Sequence, residues 1–304
     1  MIVPLGPNLG RMLKYVGLPL AGLLAWDVAI VVAYKGLHWE WIGSRHIPLA
    51  LYGGAIGVIV GFRNNSAYAR WWEARTLWGQ IVNNSRSLAR VVVTNMRCSR
   101  PEDDAPMHSM QRTIVYHQIA YAHALQQHLR GLAPWDDLAP LLEPSEIAAL
   151  EPERNVPLAL QKTIGIKLRD ARSAGWIDAL EWQAMDSSLD DLLDAQGGTE
   201  RIKNTPMPKQ YDFFPMLFVQ IYCLMLPIGM VENLGWFTPL GSTLVGFMFL
   251  ALDRIGRDLE DPFENTIYDL PLTSISTSIE INLRQLLGER GIPPPIKPLG
   301  GVLW

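Results

Sequence analysis

The run FFPMLFVQIYCLMLPIGMV occupies residues 213–231 and carries no charge between Asp212 and Glu232. After Glu232 and Asn233 a second uncharged run, residues 234–252, continues to Asp253. A hydrocarbon core about 30 Å thick is crossed by roughly 20 mostly apolar helical residues, so each run is long enough to span it. Because so little chain joins them, the two should form a tight helical hairpin. A hairpin buried in a soluble core is the alternative. Against it, soluble helices seldom lack charge for so long, and here the pattern occurs twice in succession.

Two further stretches lie toward the N-terminus. Residues 16–34, between Lys14 and Lys35, are apolar except for Asp27, and residues 47–62, between Arg45 and Arg63, are short but uncharged. The count is four spans. Arg11 and Lys14 precede the first span, Arg63, Arg70 and Arg75 follow the second, and Arg254 and Arg257 follow the fourth. The outer loops hold only Lys35 and Arg45. Loops rich in Lys and Arg stay on the cytoplasmic side, so both termini and the middle segment are expected there, in a multi-pass protein of the inner membrane. Residues 1–10 carry prolines and glycines rather than a basic region, and no cleavage pattern follows. The first span is therefore expected to stay as an anchor. Asp27 is costly inside a membrane and should face protein or water. It reads either as a helix–helix hydrogen bond or as part of an ion pathway.

The chain divides into residues 1–62 with the first two spans, 63–212 as a cytoplasmic helical region, the 213–252 hairpin, and a cytoplasmic segment, 253–304. Residues 63–97 contain no proline and one glycine, Gly79, and could extend the second span by about 50 Å as one helix. Further helices fit residues 109–130, 144–151, 157–174 and 177–195, the last ending before Gly197-Gly198. No strand alternation or internal repeat competes with this pattern. The tail carrying Pro293, Pro294 and Pro295 should be extended and wrap a surface.

Several function classes are excluded. A net charge of −4 argues against a nucleic-acid partner, which would need a basic face. Cys98 and Cys223, the only cysteines, make no disulfide framework and no cysteine metal site. His117, His123 and His128 share a predicted helix without the i, i+4 spacing that chelates a metal. No phosphate loop, nucleophile elbow or paired-carboxylate signature occurs. Neither an enzyme nor a cofactor is implied.

Gly53, Gly57 and Gly61 repeat every fourth residue and make a flat stripe for close helix packing. The adjacent column is Gly54, Val58 and Phe62. If copies of this helix surround an axis, one column packs and the other faces the hole, where apolar rings can gate by dewetting. Spacing alone leaves this open, since glycine stripes also occur in helix pairs that conduct nothing.

Gly61-Phe62, followed by Arg70-Trp71-Trp72-Glu73-Ala74-Arg75 and Leu77-Trp78, resembles the second-span signature of bestrophins. Gly61-Phe62-Arg63-Asn64-Asn65 is similar to the string shared by bacterial members. Asp258-Leu259-Glu260-Asp261-Pro262-Phe263 resembles the family's acidic-Pro-Phe block, and Asp269-Leu270-Pro271-Leu272 continues its bacterial version. Glu200-Arg201-Ile202 and Thr205-Pro206 also fit, so the likeness covers nearly the whole chain.

The resemblance implies an all-α membrane protein that forms a homopentamer around one axial pore, with ions, lipid and copies of itself as partners. It implies a neck at Gly54, Val58 and Phe62, wider at Gly54, where the family has a bulky residue. It implies a cytosolic constriction at Leu180, with Glu181 adjacent. In animal members a dense acidic run after Pro-Phe binds calcium. Here Asp261, Glu264 and Asp269 are interrupted by Thr266 and Ile267, whereas calcium takes six to eight oxygens, so calcium activation is not expected. Family association is with chloride, while some bacterial relatives resemble cation channels. Asp186, Asp190 and Asp194, spaced by four, are either a solvated face with arginine partners such as Arg169 and Arg172, or an acidic vestibule that concentrates cations. The rivals to a monovalent-ion channel are a transporter, which would show repeats and broken spans, and a non-conducting scaffold.

Overall fold

The computed structural model describes residues 1, 9–44 and 46–304, and of residues 9 and 11–14 the backbone alone. The side chains of Arg11 and Lys14 and all of Arg45, used above for orientation, lie outside the described residues. Helices α1 (Leu9–Val31), α2 (Leu49–Asn95), α3 (Asp104–Arg130), α4 (Trp135–Leu138) and α5 (Pro144–Leu150) come first. They are followed by α6 (Val156–Ser173), α7 (Ala179–Asn204), α8 (Lys209–Leu234), α9 (Thr238–Glu260) and α10 (Leu272–Leu286). Among the described residues the only extended pairing is an isolated bridge between Leu299 and Val302. Two compact units result. Pro4–Trp71 and Pro206–Asp261 form one, and Met1–Val3, Trp72–Thr205 and Pro262–Trp304 form the other.

In the first unit, Tyr15–Gly36 and Lys209–Glu260 are long and apolar enough to cross a membrane by length and composition. The second of these folds back at Gly235, whose φ of +54° suits a residue without a side chain. Leu23, Val60, Val219 and Cys223 make one buried cluster and Ile30, Val31 and Val231 another. On α9 the small residues Thr238, Ser242 and Gly246 recur every fourth position and are all buried, the pattern that lets helices approach closely. Asp27 of α1 meets this stripe. Its two carboxylate oxygens accept from Ser242 Oγ and Thr243 Oγ1, each at 2.9 Å, so the structure shows a helix–helix hydrogen bond there.

Pro227 has no N–H and deprives one carbonyl of its helical partner, and other donors reach α8 near it. Trp26 Nε1 donates to the Leu224 carbonyl at 3.0 Å, and the Ser44 amide donates to that of Ile228 at 3.2 Å. At Gly256 a methyl group would stand 2.1 Å from Asn64 Oδ1 and 3.2 Å from Arg63 Cζ. The Asn64 amide is held at its other end, donating to the Leu252 carbonyl at 2.8 Å. Gly256→Ala must therefore force α9 away from α2. It is expected to cost about 1–3 kcal/mol, measured as a lower Tm in detergent.

In the second unit, α3 is the central helix, packed against α6, α10, α4 and α7. Its buried residues include Ile114, Ile119, Tyr121 and Leu125. The later part of α2 buries Trp78, Ile81, Leu88 and Val92. Gln118 Nε2 bonds Ser85 Oγ at 2.9 Å and Gln111 Nε2 bonds the Val92 carbonyl at 3.2 Å, tying α3 to α2.

Three expectations change. Helix α7 does not end at Ala195 but runs through both glycines to Asn204. Tertiary packing overrides their low propensity: Gly198 lies so close to Leu77 that a Cβ would stand 2.8 Å away, and Thr199 and Ile202 are buried. Helices α4 and α10 were unforeseen. The buried face of α10, Leu272, Ser276, Ile279 and Leu283, follows helical spacing, but Thr273, Ser274, Thr277 and Ser278 around it obscure the pattern. The proline-bearing stretch beyond α10 has no regular structure between residues 291 and 298.

Helix α10 is tied to α3 by a hydrogen bond between His123 and Glu280. His123 Nε2 lies 3.0 Å from Glu280 Oε2, and Arg284 Nη1 lies 3.0 Å from Glu280 Oε1. The His123 hydrogen bond, opposed by burial and assisted by Arg284, holds the Glu280 carboxyl below its ordinary value of 4.5. A carboxyl lowered on folding contributes its full stability above the unfolded value and loses it as pH falls through the folded one. Amide-exchange protection factors in α10, corrected for the intrinsic rate at each pH, should therefore fall as pH drops below about 4.5, and Glu280→Gln should flatten that dependence.

Candidate functional site

Helix α2 has two faces before Arg63. Val60, Arg63 and Ala67 are buried at 1%, 1% and 0% exposure, on one helical face by their spacing of three and four. Gly54, Val58 and Phe62 lie on the other side, with Val58 at 58% and Phe62 at 67% exposure. Nothing lies within 4 Å of a Cβ built on Gly54. The chain thus leaves an apolar column uncovered on a helix whose opposite side is packed. The glycine stripe behaves unevenly. A Cβ on Gly53 would meet the Tyr222 hydroxyl at 2.5 Å, while Gly57 and Gly61 have open space.

Just beyond Phe62, at the expected end of the second span, stands a charge cluster. Arg63 Nη2 pairs with Asp212 Oδ1 on α8 at 2.7 Å. Its Nη1 donates to Asp253 Oδ1 on α9 at 2.8 Å and to the Asp253 carbonyl at 2.9 Å. The second Asp253 oxygen accepts from Arg257 Nη2 at 2.7 Å. One guanidinium therefore grips two helices. The signal in the sequence was the placement of Asp212 and Asp253 just outside the two uncharged runs.

Leu180, in the first turn of α7, is 76% exposed. Glu181 is engaged in starting that helix. Its side chain accepts from the Asp178 amide at 2.9 Å, while Asp178 accepts from the Glu181 amide at 2.8 Å. This reciprocal cap satisfies two amides that the helix leaves over, and Arg97 Nη2 adds a contact to Glu181 at 3.2 Å.

Farther along α7, Asp190 and Asp194 are exposed and Asp186 is half-buried. The suggested arginine partners are occupied elsewhere: Arg169 pairs with Asp170 at 2.9 Å, and the Arg172 guanidinium lies 5.3 Å from the centre of the Trp182 ring. Asp269 is buried and accepts from the Thr266 amide at 2.9 Å and its hydroxyl at 2.6 Å. Lys203 lies 4.0 Å from Glu264, and Arg70 lies 4.0 Å from Asp261. Among the described residues, no three His, Cys, Asp or Glu side chains gather as metal ligands.

The histidines have separate partners. His117 is buried, with Nδ1 2.8 Å from the Thr113 carbonyl and Nε2 3.2 Å from Glu146, and burial lowers its pKa. His123 faces Glu280, and His128 Nε2 lies 3.5 Å from Glu200.

Comparison with known proteins agrees with this architecture. Residues 9–285 match the model of the bacterial/fungal bestrophin protein family. A voltage-dependent anion channel-forming protein of Ralstonia nicotianae is 35% identical over 88% of this chain and 86% of its own length. A protein of the same description from Salmonella typhi is 36% identical over 88% of this chain and 85% of its own. The crystal structure of a bacterial bestrophin homologue from Klebsiella pneumoniae superimposes with a TM-score of 0.83. Its sequence is 29% identical, and the match covers 90% of this chain and 99% of that one. An all-helical chain with these motifs in this order, matched along most of its length, belongs to the bacterial and fungal bestrophin family.

Proposed function

We propose that the chain is one subunit of a membrane channel in which copies of α2 surround an axial pore for monovalent ions. The observation that carries this reading is the uncovered column of Val58 and Phe62 on a helix otherwise packed on its far side. A second copy of the same face across an axis would turn the column into stacked apolar rings. The family resemblance supports five copies.

Helices α1, α8, α9 and the first part of α2 support four spans per subunit. From Leu49 to Phe62 that part is only about 21 Å long at 1.5 Å per residue, but Arg63 beyond it is buried and paired, which keeps the helix neutral for another turn. The placement is the inner membrane with both termini cytoplasmic. The remaining segments follow the sequence division at residues 62, 212 and 252. Leu180 would form a second constriction, with Glu181 positioning the helix that carries it.

The relatives described as voltage-dependent anion channel-forming proteins support anions as the permeant species. Asp186, Asp190 and Asp194, which make no ion pair with Arg169 or Arg172, support a cation-concentrating vestibule as the second reading. Purified protein in a planar bilayer with asymmetric KCl decides between them. A reversal potential near that of chloride establishes the anion reading, and one near that of potassium the cation reading. If the acids concentrate cations, replacing all three with Asn should shift the reversal potential toward chloride and lower inward cation conductance several-fold. A stable assembly that passes no current would favour the scaffold instead. With Asp269 engaged by Thr266, micromolar calcium should leave open probability unchanged.

A further inference from the structure

Arg63 is the residue after Phe62, and consecutive helical side chains point about 100° apart. Whatever fixes the direction of Arg63 therefore fixes the direction of Phe62 and, one turn back, of Val58. The fixing is unusually complete. The side chain is 2% exposed, and its two terminal nitrogens are committed to different helices, Asp212 on α8 and Asp253 on α9. Asp253 is itself held from the other side by Arg257 at 2.7 Å. With two guanidinium groups and two carboxylates, the cluster is neutral. Val60, three residues back on the same face, packs with Leu23, Val219 and Cys223. Gly256 lets α9 come near enough for the grip, since a Cβ there would stand 3.2 Å from Arg63 Cζ.

Buried ion pairs contribute little net stability compared with well-packed apolar side chains, and specifying one geometry is their better-attested use. We infer that Arg63 is a positioning residue for the neck: by gripping α8 and α9 together it sets the rotation of α2 and hence the projection of Val58 and Phe62. The inference rests on the channel reading above. Lysine cannot replace it fully, because a single ammonium has no planar fork to hold two separated carboxylates.

The test is single-channel recording of purified full-length Arg63→Lys and Asp212→Asn proteins in planar bilayers, beside a Val58→Ala/Phe62→Ala protein. Asp212 is half-exposed, so its replacement keeps the buried Arg63–Asp253 pair and the fold. Both clamp variants should assemble to the parental mass. Their open probability should change by about twofold or more, because an apolar ring that loses its alignment no longer dewets as one. Their reversal potential should be unchanged. A purely structural role would lower Tm and yield but leave the unitary currents of surviving channels as in the parent. If the neck variant alters currents while both clamp variants conduct like the parent, the positioning role is overturned and the neck stands. If the neck variant also conducts like the parent, the neck reading fails and this inference fails with it.

Discussion

Channels with alanine at both Val58 and Phe62 are expected to show a unitary conductance or open probability several-fold above the parent. Gly54 already lacks a side chain, so the two larger residues carry the whole apolar constriction of the column. Water leaves a narrow apolar ring because it cannot recover there the hydrogen bonds it gives up, and ions then lose their hydration path. Removing the Phe62 ring should have the larger single effect, since it is the bulkier and the more exposed of the pair. Val58→Thr separates wetting from width. It keeps the side-chain volume nearly constant and adds one hydroxyl, so an increase in open probability identifies dewetting, while parental behaviour identifies a steric barrier. No change in any of these variants would refute the neck.

Arg63→Met should be the most damaging single substitution in the membrane-embedded unit. It removes the cation and leaves Asp253, with 4% of its side chain exposed, held only by Arg257. Breaking a buried pair from one side costs about 3–5 kcal/mol, a large share of the roughly 5–15 kcal/mol by which domains are stable. The expected result is loss of detergent-stable protein, measured by size-exclusion chromatography and thermal unfolding. Pairing Arg63→Met with Asp253→Leu should recover part of the lost Tm, because the buried carboxylate left with Arg257 alone is gone. Recovery of folding without recovery of parental gating would then separate the stabilising part of the cluster from its positioning part.

What could be read in the sequence depended on whether the decisive interaction was local. The helices α1, α8 and α9 announce themselves by missing charge. The unbroken α2 does so by missing proline, and its 47 residues match that expectation. The apolar column on α2 was legible because helical spacing alone places Val58 and Phe62 on one side. The Arg63 cluster was not, since its partners lie 149 and 190 residues away along the chain. Locally, an arginine after an apolar run reads only as the end of a span. Helix α7 passes through Gly197 and Gly198 for the same kind of reason: the contact with Leu77 that favours it is distant in sequence. Glu181 is a different case. Asp178 and Glu181 carry the three-residue spacing of a reciprocal cap, a local signal that the sequence displays.

The bond between Asp27 and the hydroxyls of α9 reaches across 215 and 216 residues. Its consequence lies in how the protein is made. At about 5–20 residues per second, α1 leaves the ribosome roughly 10–40 s before Ser242 and Thr243 exist. Through that interval a span with an acidic residue near its centre bears an insertion penalty of about 2.5–3.5 kcal/mol with no partner to offset it. The first span is thus completed by the last, and a chain cut short before α9 keeps an unanswered carboxyl in the bilayer.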